Sequence, residues 1–307
     1  MTTRGESGTP TGAGSAGGTG SAGGTASTAG TGSAGSVGRT SRTSSPGRTG
    51  SAVGASGAGS TPIARGADGT DGLWAAGRRI FVNALVTKVA RDHQEPDRDF
   101  RRRRVIAALT LCAGGLLLGL SFSVRPADPA FYPLTFGLAA VWVAGGLISG
   151  PLHLGYSRTR GRMRRPVLIP VLTGLAVVVV FVAGALVVRD IAPLHRLVDS
   201  VLAHAREGSA PLVAVITLVN GIAEEIFFRG GLYAAIGVRQ PVLISTLVYT
   251  AVTLASGNIM LVFAAVTLGF VLGLQRRASG GILAPILTHI TWSMSMFLLL
   301  PPIFAAA

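Results

Sequence analysis

The sequence predicts an all-α, polytopic membrane helix bundle of about seven spans behind a disordered N-terminal tail. Three observations carry this. Apolar residues make up 49% of the 307 residues and charged residues only 13%, against about 25% charged in soluble domains. Mean hydropathy is +0.53. The apolar residues also gather into long runs that begin only after position 104, several of them meeting the roughly 17–25 residues that a spanning helix needs. An ordinary water-soluble domain is thereby excluded. Cys112 is the single cysteine, so neither an internal disulfide nor a Cys-based zinc site is possible.

Residues 1–72 are Gly, Ser, Thr and Ala with scattered Arg, and the unit Gly14–Thr19 recurs at Gly20–Thr25. Such a segment buries too little apolar surface to offset its chain entropy, which predicts disorder. It has no apolar core of signal-peptide length. Its five arginines against three acidic residues are too sparse a charge for nucleic acid to be expected as a partner. Residues 73–104 form a basic juxtamembrane segment. Trp74, Ile80, Phe81, Leu85 and Val89 alternate with Arg78, Arg79, Lys88 and Arg91, the pattern of a helix lying on a lipid surface or packed on the cytosolic face of the bundle.

The membrane domain is read as 105–304. Its apolar runs lie at about 105–124, 131–150, 167–188, 211–228, 233–256, 259–274 and 281–300. The two around Asn258 are short, as a tilted or re-entrant segment would be. Residues 190–209 are mixed, with Asp190, His195, Asp199 and His204, and predict an interfacial helix. Arginine placement sets the orientation. With the N-terminus cytoplasmic, the inner segments carry Arg101 to Arg104, then Arg158, Arg160, Arg162, Arg164 and Arg165, then Arg239, then Arg276 and Arg277. The outer ones carry Arg125, Arg189, Arg196 and Arg206, each with an acidic residue close by. The basic clusters also suit anionic lipid head groups, so membrane lipid is an expected partner. The arginine-heavy, Gly/Ala-rich composition suggests a high-GC bacterium and a multi-pass protein of its cytoplasmic (plasma) membrane.

Apart from Arg239, Arg276 and Arg277, assigned to inner segments, the acidic, basic and His side chains in or beside the last four runs are few: Glu224, Glu225, Arg229 and His289. Charge at the bilayer midplane costs at least about 2.5–3.5 kcal/mol on insertion scales, so two adjacent glutamates there need a reason. At 1.5 Å per residue, Glu224 comes to about 10 Å from the cytoplasmic side and His289 to about 12 Å, with Thr253 near 16 Å and Asn258 near 24 Å. Glu224, His289 and Thr253 are thus expected in one layer. On a helix Glu225 lies one turn before Arg229 and pairs with it, while Glu224 points about 100° away and escapes that pairing. Asn220 is one turn before Glu224 and suits an interhelical hydrogen bond. Trp292 reads as packing. A carboxylate beside an imidazole in a wet cleft takes a proton from water and makes it a nucleophile. This assigns Glu224 as base and His289 as its partner or as the group that polarises the scissile carbonyl. The same residues also admit a buried ion pair that only fixes packing, and a proton or solute path with Glu224 as relay.

No His-Glu-x-x-His pair, no Gly-x-Ser-x-Gly elbow and no phosphate-cradling loop is present in the membrane domain. One intramembrane His is too few for an ordinary zinc site. No metal or other cofactor is expected.

Glu224-Glu225-Ile-Phe-Phe-Arg229-Gly-Gly resembles the Glu-Glu-x-x-x-Arg first motif of the CAAX prenyl protease and bacteriocin-processing (Abi) family, and Gly280-Gly-Ile-Leu-Ala-Pro285-Ile-Leu-Thr-His289 resembles its third motif. The resemblance covers about 165–300. It implies an intramembrane, glutamate-type endopeptidase acting on peptides or lipidated proteins, with Glu224, Glu225, Arg229 and His289 as catalytic-site residues. Two positions depart from the pattern. Tyr249 fits the aromatic of the second motif, but Thr253 stands where its His is expected. Ser293 replaces the Asn four residues after the third-motif His. These departures keep a second reading open, a catalytically silent scaffold or immunity-type protein of the same fold. Thr253, Ser293, Asn220 and, if its segment folds inward, Asn258 are the further residues expected near the site.

Overall fold

A computed structural model describes residues 74–75, 77–79, 82, 96–159 and 162–305. The expected disordered tail lies outside the described residues, as does most of the expected surface helix at 73–91. The described part is a helical bundle: α1 (Asp97–Ser123), α2 (Phe131–Ser149), α3 (Leu168–Val188), α4 (Ala192–Glu207), α5 (Ala210–Glu225), a π-helical turn (Ile226–Leu232), α6 (Tyr233–Ile236), α7 (Pro241–Thr253) with a 3₁₀ turn (Leu254–Ser256), α8 (Ile259–Ser279) and α9 (Leu283–Ala305). Among the described residues six helical stretches are long and apolar enough to cross a membrane, and the seventh expected run appears as the shorter apolar helix Pro241–Ser256. The protein is a multi-pass membrane protein.

The boundaries differ from the hydropathy runs in two places. Helix α1 begins at Asp97, after Pro96, and takes Arg101 to Arg104 into its first turns. Asp97 and Asp99 in that first turn face the positive end of the helix dipole. The arginines also act as caps for other helices. Arg104 Nε donates to the Ala235 carbonyl at 3.1 Å, and Arg102 Nη2 to the Ile148 carbonyl at 3.4 Å. Those carbonyls lie at the C-terminal ends of α6 and α2, where cations are favoured. The second difference is the fourth span. It runs unbroken from Ala210 to Ile236, through the π turn, for 27 residues. Gly237 at φ 84° and Gln240 at φ 46° then turn the chain, and Pro241 opens α7. The fifth run is therefore shortened from its N-terminal side.

Helix α1 packs along α2, α7 along α8, and α9 against α3 and α5. Contacts between helices occur at small residues, as expected where no hydrophobic force separates helix from lipid. Gly114 faces the Trp142 indole, Gly145 faces Thr110, and a Cβ on Gly146 would lie 2.8 Å from the Ile226 carbonyl oxygen. That oxygen belongs to the π turn and cannot yield. Gly146→Leu is expected to cost about 1–3 kcal/mol by overpacking, seen as a lower unfolding midpoint in detergent. An unchanged midpoint would show that α2 and the π turn are not in close contact.

The segment between α2 and α3 holds a two-stranded antiparallel hairpin, β1 (Ser157–Thr159) and β2 (Arg162–Arg164). Its approach fixes the entry to α9. Ile282 N–H donates to the His153 carbonyl at 2.9 Å, Leu283 N–H to Leu154 at 3.1 Å, and Tyr156 N–H to Ser279 at 2.8 Å. Gly281 lies against the Leu154 and Gly155 backbone with no room for a Cβ. Farther along, Thr288 is fully buried and donates to the Pro170 carbonyl at 2.8 Å, which sets the rotation of α9 and the direction of its neighbour His289. A helix is present at the mixed segment 190–209: it is α4, whose Leu202 packs with Ala185 of α3 and Phe304 of α9.

Candidate active site

Helix α5 ends on two carboxylates that point apart. Glu225 is 0% exposed. Its Oε1 accepts from Arg229 Nη1 at 2.8 Å and from His289 Nδ1 at 2.8 Å. The i,i+4 ion pair expected from the spacing is therefore present, with Arg229 held inside the π turn, a distortion often found at functional sites. Because Nδ1 of His289 is engaged with Glu225, Nε2 is the ring nitrogen left for a ligand. Glu224 takes its hydrogen bond from elsewhere: Tyr249 Oη donates to Glu224 Oε2 at 2.6 Å. The Arg229 guanidinium lies 4.8 Å from the Tyr249 ring centre, so one cation steadies both the ion pair and the phenol.

Glu224, Tyr249, Thr253 and His289 line one cavity of about 180 Å³, with Trp142, Phe228, Leu268 and Trp292 among its apolar walls. A water needs about 10–15 Å³ of such volume, so several fit. An adjoining cavity of about 550 Å³ is lined almost wholly by hydrocarbon from α3, α4, α8 and α9 and shares Leu261, Ala264 and Trp292 with the first. Phe181 and Trp292 meet edge to face at 5.0 Å beside this second cavity.

Several expected placements are corrected. His289 is hydrogen-bonded to Glu225 rather than to Glu224, although its ring and the Glu224 carboxylate line the same cavity. Asn258 does not line the cavity. Its Oδ1 accepts from Met260 N–H at 2.9 Å and its Nδ2 donates to the Leu197 carbonyl at 2.6 Å, so it caps α8 and ties it to α4. Asn220 donates to the Thr135 and Ile216 carbonyls at 3.2 and 3.1 Å, which includes the interhelical hydrogen bond expected of it, and it does not line the cavity. Ser293 Oγ lies 3.5 Å from the Ile290 carbonyl and also stays off the cavity wall. Thr253 does line the cavity, but its hydroxyl donates to the Tyr249 carbonyl at 2.8 Å. Trp292, read from the sequence as packing, is a wall of both cavities.

Other wall residues lay outside the stretch that carried the motifs. Leu118 and Phe122 of α1 and Trp142 of α2 close the cavity, and Trp142 stacks on Phe227 of the π turn at 4.9 Å. Nothing in their apolar runs marks them as site residues. Among the described residues no group of three or more His, Cys, Asp or Glu is placed to hold a metal ion.

Residues 206–295 match the family model described as Type II CAAX prenyl endopeptidase Rce1-like. The match bears out the resemblance read from the motifs and supports a CAAX-type peptidase. No curated protein and no solved structure matches the chain.

Proposed function

We propose that this protein is an intramembrane endopeptidase in which Glu224 activates a water molecule for attack on a peptide bond. One observation carries the reading: one cavity within the bundle, with room for several waters, joins Glu224, a carboxylate in no ion pair among the described residues, to the imidazole of His289. Glu224 Oε1 takes the water proton as the oxygen attacks the carbonyl carbon. His289, fixed by Nδ1–H to Glu225, presents Nε2–H as an imidazolium to the carbonyl oxygen, where negative charge develops. The proton on Glu224 then passes to the leaving amine, giving one carboxylic acid and one amine per water consumed. Glu225 carries the negative charge that His289 and Arg229 share. The hydrocarbon-lined second cavity supports a substrate with an apolar or lipidated segment beside the scissile bond. The arginine distribution supports a cytoplasmic N-terminus, and the arginine-heavy, Gly/Ala-rich composition supports a bacterial plasma membrane.

The test is cleavage in proteoliposomes of quenched peptides ending in farnesylated Cys-aliphatic-aliphatic-X, with the unmodified peptides beside them. Wild type is expected to cleave, and Glu224→Gln and His289→Ala are expected not to. Equal cleavage by all three would overturn the proposal. The alternative, a silent scaffold or immunity-type protein, draws support from the Thr253 hydroxyl, which bonds its own helix, and from the absence of Ser293 from the cavity wall. It predicts no cleavage by wild type and a cellular phenotype that survives Glu224→Gln.

A further inference from the structure

We infer that Tyr249 is the positioning residue of Glu224 and that its phenol, not position 253, is the contribution of α7 to the reaction. The inference rests on the peptidase reading of the same site.

A glutamate side chain in a cavity of about 180 Å³ has room to swing, and a base works only when held within reach of its water. The Tyr249 hydroxyl meets Glu224 Oε2 at 2.6 Å, within the 2.5–2.7 Å of a hydroxyl donating to a charged carboxylate. A phenol has one hydrogen to give, and here it goes to Oε2. Oε1 accepts none from the described residues, which leaves it as the oxygen to meet water. The tether therefore selects which oxygen acts as base.

Tyr249 is itself held. It is 9% exposed, its ring lies 4.6 Å from that of Phe228, and the Arg229 guanidinium lies 4.8 Å from its centre. Phe228 and Arg229 belong to the π turn that follows Glu225 without a break, so the donor and the base are fixed to the same piece of backbone. Thr253, one turn farther along α7, lines the cavity too, but its hydroxyl is spent on the Tyr249 carbonyl at 2.8 Å. The phenol is the α7 group that reaches Glu224.

The experiment uses the full chain in proteoliposomes with a farnesylated, quenched peptide of the Cys-aliphatic-aliphatic-X type. Tyr249→Phe keeps the ring over Arg229 and removes only the donor. It is expected to lower kcat by roughly 10–100-fold with KM within about twofold of wild type. Tyr249→4-aminophenylalanine restores a donor at the same reach and is expected to recover most of that loss, which a packing role would not explain. If Tyr249→Phe is folded and its kcat falls less than tenfold, the proposal is overturned. If it does not fold, the amino variant decides: recovery of kcat supports the proposal, and a folded amino variant as slow as a Glu224→Gln control overturns it. A wild type that cleaves nothing overturns the peptidase reading and this one together, whereas an active wild type with an unaffected Tyr249→Phe overturns this one alone.

Discussion

Glu224→Gln is expected to lower kcat by roughly 10²–10⁴-fold, the usual contribution of a positioned general base, while leaving KM and the unfolding midpoint nearly unchanged. The amide has the shape of the carboxylate and its carbonyl oxygen still accepts from Tyr249, so the bond at 2.6 Å has a substitute. What it lacks is the ability to take a proton from water. The neighbouring carboxylate does not replace it. Glu225 is 0% exposed, and its Oε1 is shared between Arg229 and His289. Steady-state kinetics in proteoliposomes against a lipidated peptide, with thermal unfolding alongside, make the check. A kcat within tenfold of wild type would remove Glu224 as the base, and a collapse of stability would assign it to the architecture instead.

Arg229→Ala is expected to destabilise the protein by about 3–5 kcal/mol, the cost of leaving a buried charge without its partner. Arg229 and Glu225 are 1% and 0% exposed, and their bond is 2.8 Å. After the substitution His289 is the one remaining partner of Glu225 among the described residues, and Glu225 Oε2 already has none. The guanidinium also leaves the Tyr249 ring, so activity is expected to fall with stability. Arg229→Ala combined with Glu225→Gln removes the orphaned charge and is expected to recover much of the stability but not the activity, since Nδ1 of His289 then meets an uncharged amide. Unfolding in mixed micelles measures both. An unchanged midpoint for Arg229→Ala would mean that water reaches Glu225 and shares the load of the missing guanidinium.

Much of the fold was legible in the residues because lipid imposes a simple length rule. A run of about 20 apolar residues reports a span whatever it packs against, and the helix at Ala192–Glu207 showed as the mixed segment at 190–209. Where the rule misjudged, local backbone decided. The π turn carried the fourth span past Arg229, and the turn at Gly237 and Gln240 cut the fifth short. The arginines at 101–104 read as topology signals, and only the structure showed Arg102 and Arg104 on the carbonyl ends of two other helices.

The residues by themselves determined which ionisable groups lie in the membrane domain, the expectation of one layer for Glu224 and His289, and the pairing of Glu225 with Arg229. Rise per residue and the i,i+4 spacing are properties of one helix and need no partner. Tertiary structure alone decided that His289 faces Glu225, that Tyr249 meets Glu224, and that Asn258, Asn220 and Ser293 stand away from the cavity. Each of these depends on the rotation of one helix against another. That rotation is set by close contacts far apart in sequence, such as Thr288 on Pro170, Gly281 on the Leu154 backbone and Gly174 against Thr291. Hydropathy is nearly the same around an all-apolar helix, so it carries no record of which side turns inward.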